Sequence, residues 1–303
     1  MTMIMQIEGL TKRYGAFSAI EDVSFSVMRG EVVGFVGLNG AGKSTTINLV
    51  LGFLRATKGS IRIFGDVVTP QAAHWTHQRI GFASGDMSLF DNLTGRQYLA
   101  FLGRRYRIKN NDKLDELCQR FDPQLDKLIK DLSRGNKQKI ALIGAFMTSP
   151  QLVILDEPSS GLDPLMQQAF LDLVREEKQA GTTIFMSSHY LNEVADVCSR
   201  VLLMRKGKLV QDIQSDQLAA AGGKRVTATA AYGIVAPKGA ESVVHQKTAH
   251  GHELSFIYKG PAVQLQKWLA GAPPLLELAI VEHDLEAAFS DLYAKDAEEA
   301  THV

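Results

Sequence analysis

The stretch Gly37-Leu38-Asn39-Gly40-Ala41-Gly42-Lys43-Ser44 has the residue types and the spacing of a phosphate-binding loop. Glycines let successive backbone N–H groups turn inward around phosphate oxygens, and the positive end of a following helix adds to that field. Lys43 is placed to reach a β- and a γ-phosphate, and the Ser44 hydroxyl is the kind of hard oxygen ligand that Mg²⁺ prefers. An ordinary Gly-rich turn is the competing reading, but it does not account for the full spacing between an apolar run and a helical pattern. A second constellation, Leu152-Val153-Ile154-Leu155-Asp156-Glu157-Pro158, sets two carboxylates at the end of an apolar run. Loops at the carboxyl ends of parallel strands build ligand sites. Asp156 therefore reads as a direct or water-mediated Mg²⁺ partner, and Glu157 as the carboxylate that polarises a water attacking the γ-phosphate.

These residues need elements to hold them. Glu31 to Val36 is nearly continuous and apolar, which predicts a buried strand before the loop, and Ser44 to Leu54 has helical spacing interrupted only by Gly52. Leu152 to Leu155 predicts another buried strand, Gln167 to Ala180 a helix stopped by Gly181, and Thr182 to Ser187 a further strand. This alternation is that of a parallel sheet, and both of these strands end in polar residues. Ile4 to Gln6 and Ser24 to Val27 alternate as half-buried strands around a turn-rich stretch with Tyr14 and Gly15, an antiparallel sheet ahead of the core. Leucines from Leu99 to Leu128 recur at helical intervals in a charged region, predicting a helical insertion over about 96–150. After residue 215 the character changes to short strand-like pieces, Arg225 to Ala230, Ser242 to Thr248, Glu253 to Tyr258 and Leu275 to Val281, with helical patterns at Val263 to Leu269 and Leu285 to Tyr293. The expected fold class is α/β: a P-loop NTPase core with an antiparallel β subdomain and a helical insertion over 1–215, plus a small C-terminal α+β module over 216–303. The cassette is not repeated, so one nucleotide-binding unit is expected per chain.

Three further segments fall in order around these motifs: Leu132-Ser133-Arg134-Gly135-Asn136-Lys137-Gln138-Lys139, Ser160-Gly161-Leu162-Asp163, and His189 after a strand. In that order the chain resembles the nucleotide-binding subunits of ABC transporters, from roughly Ile4 to Val210. The resemblance implies that Gly37, Asn39, Gly40, Ala41, Gly42, Lys43, Ser44 and Thr45 line ATP, and that Tyr14 stacks on adenine; a packed loop aromatic is the alternative for Tyr14. It implies a signature loop at Ser133 and Gly135, a D-loop at Asp163, and a catalytic set of Glu157, His189 and Lys43. One phosphate loop satisfies only part of a triphosphate, and the helix start after Ser133 offers further N–H donors to a γ-phosphate bound by a second chain. Two cassettes, as a homodimer or a heterodimer, would then sandwich two ATP molecules head to tail. The family further implies a separate polytopic membrane permease subunit and a cytoplasmic, peripheral place on the inner face of the cell membrane. The C-terminal tail is more loosely similar to those of ABC-2 type exporter subunits, which implies export.

The sequence also departs from that family. Arg134 stands where the first of two glycines usually follows the signature serine, and Asn136 replaces Gln or Met. Where a glutamine usually follows the strand near Ile80-Gly81-Phe82, the chain reads Ala83-Ser84-Gly85-Asp86. Asp86 is the nearest oxygen donor and is expected to replace the glutamine toward Mg²⁺, directly or through water; its alternative is a cap on the turn that follows.

Composition narrows the remaining possibilities. Lys plus Arg equals Asp plus Glu at 33 each, so the chain lacks the basic field that holds a protein on nucleic acid, and no nucleic-acid partner is expected. Cys118 and Cys198 make no C-x-x-C, which fits a reduced compartment. The N-terminal residues show no leader pattern, and no apolar run approaches the ~18 residues that span a bilayer. A soluble ABC ATPase acting on ribosomes or DNA is the competing class, but it would bring a second cassette or long coiled coils. A guanine-specific switch read from Asn136-Lys137-Gln138-Lys139 lacks the closing aspartate. His245, His250 and His252 have no acid or cysteine at ligand spacing and read as solvated loop and strand.

Overall fold

The computed structural model describes residues 2–85, 89–108, 110–215, 217, 223–248 and 251–282. The chain divides into two compact units, Met1–Ile213 and Gln214–Val303. The first opens with two long strands, β1 (Met3–Tyr14) and β2 (Phe17–Met28), paired antiparallel. After β3 (Val32–Val36) and α1 (Lys43–Val50), the strands β4 (Lys58–Ile63) and β5 (Asp66–Val67) complete an antiparallel sheet in the order β2-β1-β4-β5. The turn between β1 and β2 is shorter than the alternation of the sequence suggested. Register shifts at four places along this pair break the period of two, so the residues from Ile7 to Arg13 do not alternate although they are strand.

The chain continues through α2 (Ala73–His77), β6 (Ile80–Ser84), α3 (Gly95–Arg105), α4 (Asp112–Phe121) and α5 (Arg134–Phe146). It then alternates β7 (Leu152–Asp156), α6 (Pro164–Gln179), β8 (Thr183–Ser188), α7 (Leu191–Val197), β9 (Arg200–Arg205) and β10 (Lys208–Gln214). Six strands form one sheet in the order β10-β9-β3-β8-β7-β6, and the pairs β9/β3, β3/β8, β8/β7 and β7/β6 are all parallel. Each residue of β3, β7 and β8 is buried, as expected of central parallel strands covered on both faces. Phe25, Phe35 and Phe185 pack with ring centroids 5.2–5.7 Å apart, joining β2 to the large sheet.

Helix ends follow local chemistry. Thr94 and Gln97 form a reciprocal capping box at the start of α3, and Asp163 caps α6 with Pro164 at its first position. That cap starts α6 three residues before the apolar spacing does. At the other extreme α1 ends at Val50, short of the expected Leu54, because Gly52 turns left-handed at φ 70° and lies against Ala73, where a Cβ would stand 2.5 Å from that side chain.

The second unit holds β11 (Lys224–Ala230), β12 (Ala240–Thr248), β13 (Gly251–Tyr258), α8 (Ala262–Gly271) and β14 (Leu275–Glu282). Its sheet runs β12-β13-β11-β14, antiparallel throughout, and Val226, Ala228, Leu254 and Phe256 bury their side chains with Leu265 of α8. Trp268 meets Phe256 edge-on at 5.1 Å. The helix expected over Leu285 to Tyr293 lies outside the described residues. No helix among the described residues is long and apolar enough to cross a membrane.

Candidate nucleotide site

The parallel register brings the carboxyl ends of the central strands level. Ser84 of β6 lies opposite Asp156 of β7, Asp156 opposite Ser187 of β8, and Ser188 opposite Val36 of β3. The phosphate loop leaves β3 at this edge and enters α1, which packs beside β7. Gly37 lies so close to the carbonyl of Met204 that a Cβ would stand 2.5 Å from it. Gly42 has φ 103°, and a Cβ there would meet Ile20 Cγ2 at 2.7 Å and Ala19 O at 2.9 Å. Only glycine fits both the backbone and the space at this position. Leu38, Asn39 and Gly40 are exposed, Ala41 is buried, and Ser44 and Thr45 lie in the first turn of α1 with Ser44 open to solvent. We expect Gly42→Ala to lose about 2 kcal/mol of stability from left-handed strain and overlap. It should lose nucleotide binding as well, and a thermal melt with and without ATP checks both.

Lys43 is 6% exposed and its ammonium is held on three sides. It donates to Gly37 O at 2.5 Å and Leu38 O at 3.4 Å, and lies 3.2 Å from Glu157 Oε1. That last contact is an ion pair without the alignment of a hydrogen bond. The other oxygen of Glu157, Oε2, meets His189 Nδ1 at 2.5 Å, and the His189 ring leans on Tyr190 with centroids 3.9 Å apart. Lys43 at the start of α1, Glu157 after β7 and His189 after β8 thus form one chain of contacts. Glu157 itself sits at φ 51°, a left-handed conformation that costs a non-glycine residue about 1–3 kcal/mol and that clusters at functional sites.

Ser187 explains how that conformation is held. Its hydroxyl accepts from the Glu157 N–H at 3.0 Å and donates to Asp156 Oδ1 at 2.6 Å, so one side chain fixes both acids. Nothing in the sequence marked Ser187 beyond a strand that ends in polar residues. Glu193 of α7 was missed too: its carboxylate accepts from Ser159 and Ser188, and burial pushes its pKa up against the pull of those two hydroxyls. Its only sequence signal is a place four residues after His189.

The described residues include no group of three or more His, Cys, Asp or Glu able to hold a metal. A Mg²⁺ shared with phosphate oxygens does not require one, and the donor set at this edge, the Ser44 hydroxyl and the Asp156 carboxylate, is all oxygen as that ion prefers. Asp86 and His250 lie outside the described residues. Gly85 donates to Asp156 O at 2.9 Å, and a Cβ there would stand 3.0 Å from Glu157 O. The position after β6 is therefore closely packed on the loop that carries both acids.

The remaining expected residues form a second cluster at the starts of α5 and α6. Ser133 caps α5, accepting from Asn136 N and Nδ2 at 3.3 and 3.2 Å, and Asp163 caps α6, accepting from Met166 N at 3.0 Å. Gly135 lies against Gly161, where a Cβ would stand 2.7 Å from the carbonyl, and Arg134 donates to Ser160 Oγ at 2.9 Å. Buried Gln138 of α5 donates to Pro158 O at 2.8 Å, tying this cluster to the loop after Glu157. Tyr14 stands apart, half exposed at the tip of the β1–β2 hairpin, with Lys12 Nζ 4.9 Å from its ring centroid.

A strand-loop-helix phosphate cradle facing paired acids at the carboxyl edge of a parallel sheet, beside an antiparallel sheet and a helical insertion, defines a P-loop nucleotide-binding cassette. Comparison with known proteins is specific about which kind. The profile of the ABC transporter family matches residues 20–160. The chain is 34% identical over 221 residues to the bacitracin transport ATP-binding protein BcrA of Bacillus licheniformis, covering 72% of each chain. It is 29% identical over 308 residues to the linearmycin resistance ATP-binding protein LnrL of Bacillus subtilis (strain 168), covering 95% of this chain and 98% of LnrL. Among solved structures, an ATP-binding subunit of an ABC transporter superposes with a TM-score of 0.64 at 31% identity, over 71% of this chain and 91% of that one. The chain belongs to the ATP-binding subunits of ABC transporters, and it binds and hydrolyses ATP in that capacity.

Proposed function

We propose that this chain powers export as the ATPase of a two-component transporter, and that the contact chain Lys43–Glu157–His189 is its catalytic centre. The supporting observation is that convergence, beside Asp156 and the glycine loop. The cassette spans 1–215, and 216–303 is an accessory module. The loop from Gly37 to Thr45 cradles the phosphates, and the Lys43 ammonium exchanges its loop carbonyls for β- and γ-phosphate oxygens. Ser44 and Asp156 hold Mg²⁺, which when bound neutralises charge across those oxygens. Glu157, released from Lys43, orients the attacking water, and His189 restrains the carboxylate from its other oxygen.

The cap of α5 at Ser133, with Gly135 and Asp163, completes the site of a second cassette, giving a homodimer or heterodimer closed over two ATP. Tyr14, exposed on its hairpin, stacks on the adenine ring. The names of the bacitracin transport and linearmycin resistance relatives support export by a separate polytopic permease, with this subunit peripheral on the cytoplasmic side.

Expressed by itself the chain should fractionate with soluble protein. Expressed with the membrane protein that copurifies from its native membranes, it should move to the membrane fraction and show stimulated ATPase activity. Failure to recover any polytopic partner would favour a soluble ABC ATPase.

A further inference from the structure

Between the loop that carries Glu157 and the loop that carries His189 lies a half-buried acid that the proposed chemistry does not use. Glu193 sits in the first turn of α7, and its Oε2 accepts from Ser159 Oγ at 3.0 Å and from Ser188 Oγ at 3.1 Å. Ser159 follows Glu157 by two residues, and Ser188 directly precedes His189. The Ser188 hydroxyl also accepts from Tyr190 N at 2.9 Å, so it fixes the backbone on both sides of the histidine. The second oxygen, Oε1, is buried and accepts no hydrogen bond. A half-buried carboxylate with one oxygen shut off from solvent and idle is costly to retain for stability alone, since an apolar residue would fill that space without desolvation.

The helix that carries Glu193 is itself held firmly. Val194 is fully buried and presses on β3 at Gly34, where a Cβ would stand 1.9 Å from Val194 Cγ1. A side chain on so tightly docked an element has little freedom, and the oxygen it presents is a fixed point for anything hydrogen-bonded to it. The geometry points to Glu193 as a positioning residue that clamps the loops after β7 and β8 together, setting the distance and angle at which His189 meets Glu157. Its hydrogen bonds go to the two serines and not to either catalytic group, although its charge is felt by both. It acts through Ser159 and Ser188, joining the loop after β7 to the end of β8. Ser187, in register with Asp156, holds the two strand ends, whereas Glu193 joins the last residue of β8, Ser188, to Ser159 in the loop beyond β7.

This inference rests on the proposed roles of Glu157 and His189, and the experiment separates the two. Steady-state ATPase activity and affinity for a fluorescent ATP analogue are measured on the full chain for Glu157→Gln, His189→Ala, Glu193→Ala, Glu193→Gln and the double variant His189→Ala/Glu193→Ala. Glu193→Ala should lower kcat on the order of tenfold or more while analogue affinity stays within about twofold, because misplacing a catalytic pair by a fraction of an ångström acts on the transition state. Glu193→Gln retains an oxygen for both serines and should recover most of the lost kcat. The double variant should hydrolyse no more slowly than His189→Ala, since the clamp works through the histidine. Equal impairment of the Gln and Ala variants, parallel losses in affinity and kcat, or additive loss in the double variant would each overturn the clamp. If Glu193→Ala fails to fold, the Gln variant decides: full loss of kcat in a folded protein overturns it. Wild-type hydrolysis by Glu157→Gln would instead sink the catalytic assignment on which it rests.

Discussion

Lys43→Ala is expected to abolish tight ATP binding. The structure aims the lysine into the phosphate loop, and its ammonium lies against loop carbonyls at positions that phosphate oxygens would take over. A charge-assisted hydrogen bond from a desolvated ammonium to phosphate is worth roughly 2–3 kcal/mol, which corresponds to about a hundredfold in affinity. The loss has a second source. Without Lys43 the Glu157 carboxylate, 23% exposed on its side chain, faces the triphosphate with no cation between them. Repulsion of like charges then weakens ATP more than ADP. Isothermal titration of the variant against both nucleotides measures the two effects together, and unchanged ATP affinity would remove Lys43 from the site. The protein should remain folded, because α1 keeps its packing under β2 and its start at Gly42.

Glu157→Gln should separate binding from hydrolysis. The amide preserves shape and keeps an oxygen near Lys43, but it has no negative charge with which to polarise water. Loss of a general base or water-orienting carboxylate costs about 10²–10⁴ in rate. ATP then persists, and with it the interface that ATP completes. With ATP and Mg²⁺ the variant should elute from size exclusion as a long-lived dimer, whereas the wild type should return to monomer as nucleotide is consumed. Wild-type turnover in the variant would show that another group activates the water. The side chain also stands in the left-handed conformation at φ 51°, so the substitution leaves backbone strain in place and tests the carboxylate alone. Glycine at this position would relieve the strain and is the poorer probe.

Much of this protein was written in local patterns. The loop from Gly37 to Ser44 declares itself because the chemistry of holding phosphate demands glycines and a lysine at fixed spacing, whatever surrounds them. The continuous apolar runs of β3, β7 and β8 declare buried parallel strands because they have no wet face. The same local logic placed Glu157 and His189 at strand ends. It failed where long-range contact outweighed local preference. Strand β1 stays extended through residues that break alternation because it is paired on both sides, to β2 and to β4. Helix α1 stops early because Gly52 is pressed against Ala73, a residue 21 positions away. Ser187 carries no spacing signature and Glu193 only its distance from His189, since a serine at a strand end and an acid in a helix are ordinary. What makes them part of the site is the register that sets Asp156 opposite Ser187, and the docking of α7 on Gly34 that carries Glu193 to Ser159 and Ser188. Sequence determined which groups could do the chemistry, because that depends on residue type and near spacing. Only the tertiary structure decided which hydroxyls and carboxylates hold those groups in place, because the contacts of Ser187 with both acids and of Glu193 with Ser159 join residues 30 to 34 positions apart that meet only when the sheet is assembled.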